Sequence, residues 1–171
     1  MYFILYLVSA IAIISTVMVI TRLNAVHGLL YLIVSLLAVA VIFYILGAPF
    51  VAALEVIIYA GAIMVLFVFV IMMLNLGAHS AQDEHRWYKP RMFIGPGFLA
   101  LILLAETIYA MRYTGGIRTN LISISPQQVG MELYGTYLLG VELSSILLLA
   151  GLVAAYHLGR RHYHAQPRER V

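Results

Sequence analysis

Two side chains that can exchange protons, Glu55 and Tyr59, lie four residues apart in a long apolar stretch of the sequence. Residues four apart share one face of an α-helix, so the carboxyl and the phenol are expected to face the same space. Contact between an ionisable group and lipid is costly, so a membrane-spanning helix would turn Glu55 toward protein or water. This chemistry leaves two roles open: a buried acid that fixes helix packing, or a proton site.

Two further acids, Glu106 and Glu142, lie in other apolar stretches, and Glu142 is followed by Ser144 and Ser145. Carboxyl groups kept partly protonated by burial, together with hydroxyl groups, are suitable parts of a hydrated proton path. No nucleophile–base pair and no phosphate-binding loop accompanies them in the sequence. The pattern therefore predicts a polar path through a membrane, and it does not specify the ion.

A glycine, Gly61, follows the Glu55–Tyr59 face and stands between Ala60 and Ala62. Glycine inside a helix costs about 1 kcal/mol relative to alanine, so its presence needs a reason. Small residues in membrane helices allow two helices to pack closely. They are also compatible with a π-bulge, a one-residue distortion that is frequent at functional sites. The residues themselves leave both interpretations open.

The composition indicates an integral membrane protein. Of its 171 residues, 64% are hydrophobic and only 10% are charged, which leaves too little polar surface for a soluble domain of this size. The length leaves no room for a separate catalytic domain. The sequence contains no cysteine, which excludes disulfides and cysteine-ligated zinc or iron–sulfur centres. No nucleic-acid partner is expected.

The hydrophobic stretches predict an all-α fold of five transmembrane helices, because a hydrocarbon core about 30 Å thick needs roughly 20 helical residues. The predicted spans are 2–21, 26–46, 52–76, 93–113 and 134–158, followed by a basic cytoplasmic tail at 159–171. We assign the five spans to one transmembrane domain, residues 1–158, and treat residues 159–171 as its C-terminal tail.

Glycine and proline mark the predicted boundaries. Gly47-Ala48-Pro49 is predicted to form a tight turn, and Gly95-Pro96-Gly97 to open the fourth span with proline in the first helical turn. Ser125-Pro126 has the pattern of a helix start, so a short helix at the membrane surface is expected before the fifth span.

Three polar features have an ordinary and a functional interpretation. The hydrophilic stretch Gly77–Arg91 is typical of a solvated loop, with contact to a partner as the alternative. His27, at the predicted start of the second span, is typical of an interfacial histidine, with a ligand role as the alternative. The histidines His157, His162 and His164 near the C-terminus lack acidic neighbours at ligand spacing, which favours a solvated tail over a metal site.

The distribution of Lys and Arg predicts the orientation. With the N-terminus outside, the inner segments hold eight of the ten basic residues, namely Arg22, Arg86, Lys89, Arg91, Arg160, Arg161, Arg168 and Arg170, and the outer segments hold Arg112 and Arg118. Basic residues concentrate on the cytoplasmic side, so a periplasmic N-terminus and a cytoplasmic C-terminus are predicted. Glu55, Glu106 and Glu142 then fall in the outer half of the bilayer, within one polar cavity if their helices are neighbours.

The segment EVIIYAGAIMVLFVFVIMMLNL, Glu55–Leu76, resembles the third helix of the subunit J family of proton-translocating NADH–quinone oxidoreductase, bacterial respiratory complex I, whose mitochondrial counterpart is chain 6. Other matching stretches are NAVHGLLYLIVSLL at Asn24–Leu37, WYKPRMFIGP at Trp87–Pro96 and VELSSILLLAGLVAAYHLGR at Val141–Arg160. The resemblance covers essentially the whole chain up to Arg160, and the third-helix motif is highly specific.

The resemblance implies a multi-pass subunit of the bacterial inner membrane with five transmembrane helices. Its implied partners are the lipid bilayer and other membrane subunits, namely the quinone-site subunit and the antiporter-like subunits. The complex would use FMN, iron–sulfur clusters, NADH and quinone, and the subunit would bind none of these cofactors and have no catalytic centre of its own.

The resemblance also implies a gate in the third helix, with a π-bulge around the residues that match Tyr59–Val65. Straightening or rotating that helix would open and close a water path between quinone chemistry and the proton pumps. Glu55, Tyr59 and Glu142 match acids and a tyrosine of the family motif, whereas Glu106 is assigned to the path from its depth alone. The predicted gating residues are Gly61, Val65, Leu66, Phe67 and Met72.

Two alternatives belong to other functional classes: a small transporter that works alone, and a scaffold subunit without a moving part. An odd number of spans and the lack of an internal repeat argue against the transporter. Co-migration with a large NADH-oxidising assembly in mild detergent would also exclude the transporter, and it would not exclude the scaffold.

Overall fold

The computed structural model describes residues 2–74, 91–114 and 123–159, which are almost entirely helical and contain no strand. The helices are α1 (Tyr2–Thr21), α2 (Ala25–Ile45), α3 (Pro49–Leu54), a π-helix (Glu55–Ile63), α4 (Met64–Leu74), α5 (Arg91–Thr114), α6 (Pro126–Tyr134) and α7 (Leu138–Gly159). Within these ranges five stretches are long and apolar enough to cross a membrane, with α3, the π-helix and α4 together forming the third. The all-α prediction with five spans is confirmed.

Helices α1 and α2 form a close pair joined by a short polar break. Asn24 caps α2, because its side-chain oxygen accepts hydrogen bonds from the backbone N–H groups of Val26 at 3.0 Å and His27 at 3.3 Å. Inside the pair, the hydroxyl groups of Thr16 and Ser35 lie 2.8 Å apart and share a hydrogen bond. A polar contact of this kind supplements side-chain packing between membrane helices.

The core of the first compact unit, residues 1–125, lies where α1, α2 and α5 meet. Its buried members are Val8, Ile11, Val34, Ala38 and Leu103. Ala38 has no exposed surface, so α1 and α5 approach α2 closely at this level. The third span also contacts α2, and α2 is therefore the central helix of this unit.

The turn before the third span is formed by Gly47, Ala48 and Pro49, as predicted. Gly47 has φ of 88°, a left-handed conformation that favours glycine, and Pro49 is the first residue of α3. The third span therefore begins at Pro49, three residues before the predicted start at position 52. Proline needs no hydrogen-bond partner for its nitrogen in the first turn, and this allows the earlier start.

The fourth span corrects a second predicted boundary. Helix α5 begins at Arg91, so Pro96 lies inside the helix and not in its first turn. Proline cannot donate the hydrogen bond that the carbonyl four residues earlier would accept, and this omission is tolerated in membrane helices.

Gly95 on α5 marks a close crossing with α2. A Cβ atom built on Gly95 would collide with the hydroxyl of Tyr31, whose side chain is almost fully buried. The Tyr31 ring also stacks against His27, with the ring centroids 5.2 Å apart, and lies under the Arg22 guanidinium at 5.5 Å. Glycine is required here because the phenol occupies the space that a side chain would fill.

We expect Gly95→Ala to destabilise the protein by about 1–3 kcal/mol, the usual cost of overpacking. Tyr31→Phe removes the colliding oxygen and should recover most of the loss in the double variant. The matched control is Gly97→Ala, because a Cβ at Gly97 would have no atom within 4 Å. Thermal unfolding of the purified protein in detergent measures all three, and equal effects of the two glycine substitutions would contradict the prediction.

The second compact unit, residues 126–171, contains α6 and α7. Helix α6 begins at Pro126, as predicted, and ends at Tyr134. A turn follows in which the backbone N–H of Tyr137 donates to the carbonyl of Glu132 at 3.0 Å. Helix α7 therefore begins at Leu138, four residues after the predicted start of the fifth span at 134. The remaining predicted hydrophilic loop at 77–90 and the basic tail at 160–171 lie outside the described residues.

Candidate site in the third and fourth spans

The third span contains a nine-residue π-helix, Glu55–Ile63, between two α-helical segments. At its end the backbone N–H of Met64 donates to the carbonyl oxygens of Tyr59 and Gly61. The bond to Tyr59 spans five residues, one more than in an α-helix. The predicted π-helical distortion of the third span is confirmed.

Gly61 has a specific position within the π-helix. A Cβ atom at this residue would lie 3.2 Å from the carbonyl oxygen of Val56, and no atom of another described helix would lie within 4 Å of it. The nearest neighbour thus belongs to the same helix, five residues earlier. Within the described residues no second helix lies at this distance from Gly61, and the contact links the glycine to the wide π-turn.

The π-helix begins earlier than predicted. The prediction placed it around Tyr59–Val65, whereas the observed π-helix starts at Glu55 and regular α-helix resumes at Met64. Gly61 therefore lies inside the observed π-helix, near its C-terminal end. The predicted gating residues Val65, Leu66, Phe67 and Met72 consequently lie on α4.

The π-helix and α4 expose most of their side chains. The π-helix has no buried residue, and Tyr59 is 50% exposed. On α4 the exposed side chains include Val65, Leu66, Phe67 and Met72, whereas Met64 is only 2% exposed. Lipid or other proteins must therefore cover this surface, and a path along Tyr59 would need walls from outside this chain.

An apolar cleft separates the third span from α5. Its volume is about 430 Å³. It is lined by Leu37, Ala40, Val41 and Tyr44 of α2, by Pro49, Ala52, Ala53 and Val56 of the third span, and by Ala100, Leu103, Leu104, Thr107, Ala110 and Met111 of α5. Glu55 is partly buried and does not belong to this lining.

Glu106 lies on the other side of α5. It lines a second cavity of about 610 Å³ together with Phe3 and Ile4 of α1 and Leu101, Ile102, Ala105 and Tyr109 of α5. At 100° per residue, the α5 residues of the two cavities occupy opposite faces of the helix. Neither cavity brings Glu55 and Glu106 together, so the predicted common cavity of these two acids is not formed by either one.

The third acid, Glu142, lies on α7 of the second unit and is exposed within that unit. The hydroxyl groups of Ser144 and Ser145 donate to the backbone carbonyls of Gly140 at 2.7 Å and Val141 at 3.0 Å. Such bonds to the preceding turn are usual for serine in a helix. The two hydroxyl groups are thus engaged within their own helix.

His27 packs against Tyr31 at the first turn of α2, as described above. Across residues 2–74, 91–114 and 123–159, no group of three or more His, Asp and Glu side chains is arranged to hold a metal ion. The ring of His27 stacks on Tyr31, and its backbone N–H donates to the side-chain oxygen of Asn24.

Two residues of the site, Val56 and Met64, did not emerge from the sequence. Val56 provides the carbonyl that faces Gly61 and a side chain that lines the cleft, and Met64 closes the π-helix as its most buried neighbour. Both are apolar residues within an apolar segment, so no sequence motif distinguishes them from their neighbours. Counting five residues back from Gly61 identifies Val56 once a π-helix is assumed.

Known proteins resemble this chain over most of its length. The family model described as NADH-ubiquinone/plastoquinone oxidoreductase chain 6 matches residues 15–158. A relative from Pseudomonas aeruginosa named NADH-quinone oxidoreductase subunit J is 53% identical over 162 residues, which cover 94% of this chain and 98% of the relative. A relative of the same name from Escherichia coli is 52% identical over 160 residues, covering 94% of this chain and 87% of the relative. The chain belongs to the NADH-ubiquinone/plastoquinone oxidoreductase chain 6 family.

Proposed function

We propose that this chain helps to couple quinone reduction to proton translocation by gating a water path with its third span. The observation that carries the proposal is the π-helix Glu55–Ile63 with Gly61 against the Val56 carbonyl. If the π-helix reverts to an α-helix, helix α4, which follows it, rotates about the helix axis. The third span therefore has two discrete arrangements. A two-state element is what a gate requires.

The chain is a membrane subunit of NADH-quinone oxidoreductase, an enzyme complex, and a multi-pass protein of the bacterial inner membrane. Other subunits of that complex are its partners. We propose further that the quinone-site subunit and the antiporter-like subunits are among its neighbours. In this proposal FMN, iron–sulfur clusters, NADH and quinone are held elsewhere in the complex, and the chain contributes a moving helix and proton-exchanging side chains.

The gating step follows from helix geometry. Removing the extra residue of a π-turn rotates the following segment by about 100°. Helix α4 would then exchange which of its apolar side chains, including Leu66, Phe67, Val68 and Phe69, face the path. A narrow apolar constriction excludes water, so the exchange alternates a dry plug with a wettable gap.

The proton path in this proposal uses Glu55 and Tyr59 on the third span and Glu142 on α7. Glu106, predicted from its depth to belong to the same path, lies on the side of α5 that faces α1 and is not part of the gated path. Carboxyl and phenol groups in a membrane are suited to proton transfer because ionised forms are costly there and neutral forms are accessible. The exposure of Tyr59 supports a path that is completed by neighbouring subunits and water.

Structures of the intact complex with and without bound quinone test the gate. We expect the π-helix at Glu55–Ile63 in one state, and in the other a regular α-helix with α4 rotated by about 100°. The i→i+5 bond from Met64 to Tyr59 is the diagnostic contact. A third span with the same hydrogen bonds and the same rotation in both states would rule out gating and leave a scaffold role.

We propose that the N-terminus is periplasmic and the C-terminus cytoplasmic, from the eight-to-two distribution of basic residues. Reporter fusions after Ala81 and after Thr119 check this orientation. The fusion at Ala81 should report the cytoplasm and the fusion at Thr119 the periplasm, each with full signal in only one compartment. A periplasmic signal at Ala81 would reverse the orientation.

A further inference from the structure

Glu106 lies well inside the membrane-spanning part of α5. The apolar stretch of this helix runs from Phe93 to Arg112, and Glu106 precedes Arg112 by six residues, or about 9 Å along the helix axis. The long side chains of Lys and Arg reach the interface from such depths, whereas glutamate is shorter. The carboxyl group therefore has to be accommodated within the apolar region.

The described surroundings of Glu106 leave one of its carboxyl oxygens without a hydrogen-bond partner. Its Oε2 atom is inaccessible and accepts no hydrogen bond from any residue that the structure describes. Among the described residues, the cavity lining contains no Lys, Arg or His, and Tyr109 is the one other titratable side chain. Phe3 and Ile4 close the α1 side of the cavity, and neither can donate a hydrogen bond from its side chain.

An unpaired carboxylate in such a place is strongly disfavoured, and a buried acid avoids this cost by keeping its proton. The cavity is also poorly suited to hydrating the charge, because a stable buried water needs two to four polar partners and this lining is mostly hydrocarbon. The carboxyl of Glu106 is thus expected to be neutral, with a proton on one oxygen.

We propose that Glu106 is a proton-binding site separate from the third-span surface, on the side of α5 that faces α1. The evidence for a separate site is that the two cavities lie on opposite faces of α5. The cleft toward the third span is lined by Thr107 and Ala110, and the cavity toward α1 is lined by Glu106. The site binds a proton, and we expect its protonated carboxyl group to react with apolar carbodiimides. It does not depend on the gate, because an immobile third span would leave it unchanged.

Modification by carbodiimides in the intact complex, in native membranes, tests the site. Dicyclohexylcarbodiimide, an apolar reagent, reacts with protonated carboxylic acids, and peptide mass spectrometry locates the adduct. We expect an adduct on Glu106 that a water-soluble carbodiimide does not produce. Glu132, an exposed acid on α6 outside the predicted spans, is the internal control and should carry no adduct from the apolar reagent.

Infrared difference spectroscopy gives the protonation state directly. The band of a protonated carboxylic acid should be present in the complex and diminished in Glu106→Gln, which keeps the size of the side chain and has no carboxyl group. Absence of the adduct on wild-type Glu106 overturns the proposal, and this result needs no variant to assemble. An unchanged infrared band in an assembled Glu106→Gln complex overturns it as well.

Discussion

Gly61→Val should leave the complex assembled and slow its coupled turnover about tenfold. A valine Cβ would lie 3.2 Å from the Val56 carbonyl in the π-helix, and its two methyl groups add further crowding. Overpacking of this kind costs about 1–3 kcal/mol. Because about 1.4 kcal/mol shifts an equilibrium tenfold, the substitution biases the third span toward regular α-helix. NADH-driven proton uptake by membrane vesicles, compared with NADH oxidation, measures the effect.

Gly97→Val is the matched control for this prediction. It introduces the same side chain into another membrane helix, at a glycine whose added Cβ has no atom within 4 Å. Its coupled turnover should stay close to that of the wild type. Gly61→Ala should fall between the two, because it adds the Cβ without the methyl branches. Normal turnover in an assembled Gly61→Val complex would show that the π-helix is not needed for coupling.

Glu55→Gln and Glu142→Gln should each reduce turnover-linked proton transfer, by about a hundredfold if the acid is obligatory, the lower end of what one positioned proton-transferring group contributes. Glutamine keeps the size and much of the hydrogen bonding of glutamate, and it cannot release a proton at the carboxyl position. The amount of assembled complex, measured by native electrophoresis, should be close to normal. Proton uptake per NADH oxidised separates transfer from electron flow.

Glu132→Gln is the control for both acids, since Glu132 is exposed on α6 outside the apolar stretches and its neutralisation should have little effect. Loss of the whole complex from the membrane in both test variants would assign Glu55 and Glu142 a structural role. The structure engages Ser144 and Ser145 with their own helix, so neither serine is expected to substitute for a missing Glu142.

The number of spans and their helical nature follow from the sequence because a bilayer imposes a minimum apolar length and requires internal hydrogen bonding. Boundaries follow less well. The sequence Gly95-Pro96-Gly97 predicts a helix start, yet α5 begins earlier, at Arg91, because membrane helices tolerate an internal proline. In the same way, Tyr134 belongs to α6 and the fifth span starts later, at Leu138.

The sequence predicts the π-helical distortion of the third span, but neither its bounds nor the direction in which Glu106 faces. A π-helix in the third span follows from the resemblance, but its bounds, Glu55–Ile63, lie four residues earlier at the start and two earlier at the end than the predicted Tyr59–Val65. Depth along a helix placed Glu55 and Glu106 at one level of the membrane. Depth does not specify direction, and the rotation of α5 turns Glu106 toward α1.

The burial of Met64 has a mechanical consequence for the third span. From the π-helix through the described part of α4, it is the one fully buried side chain, whereas its neighbours point outward. When the third span rotates, Met64 is therefore the one side chain of this segment that has to leave a buried position. Methionine is unbranched and flexible, so it can adjust to the rotation with little loss of contact. The main resistance to rotation then comes from the lipids and subunits around the span, so membrane composition should set how fast this gate operates.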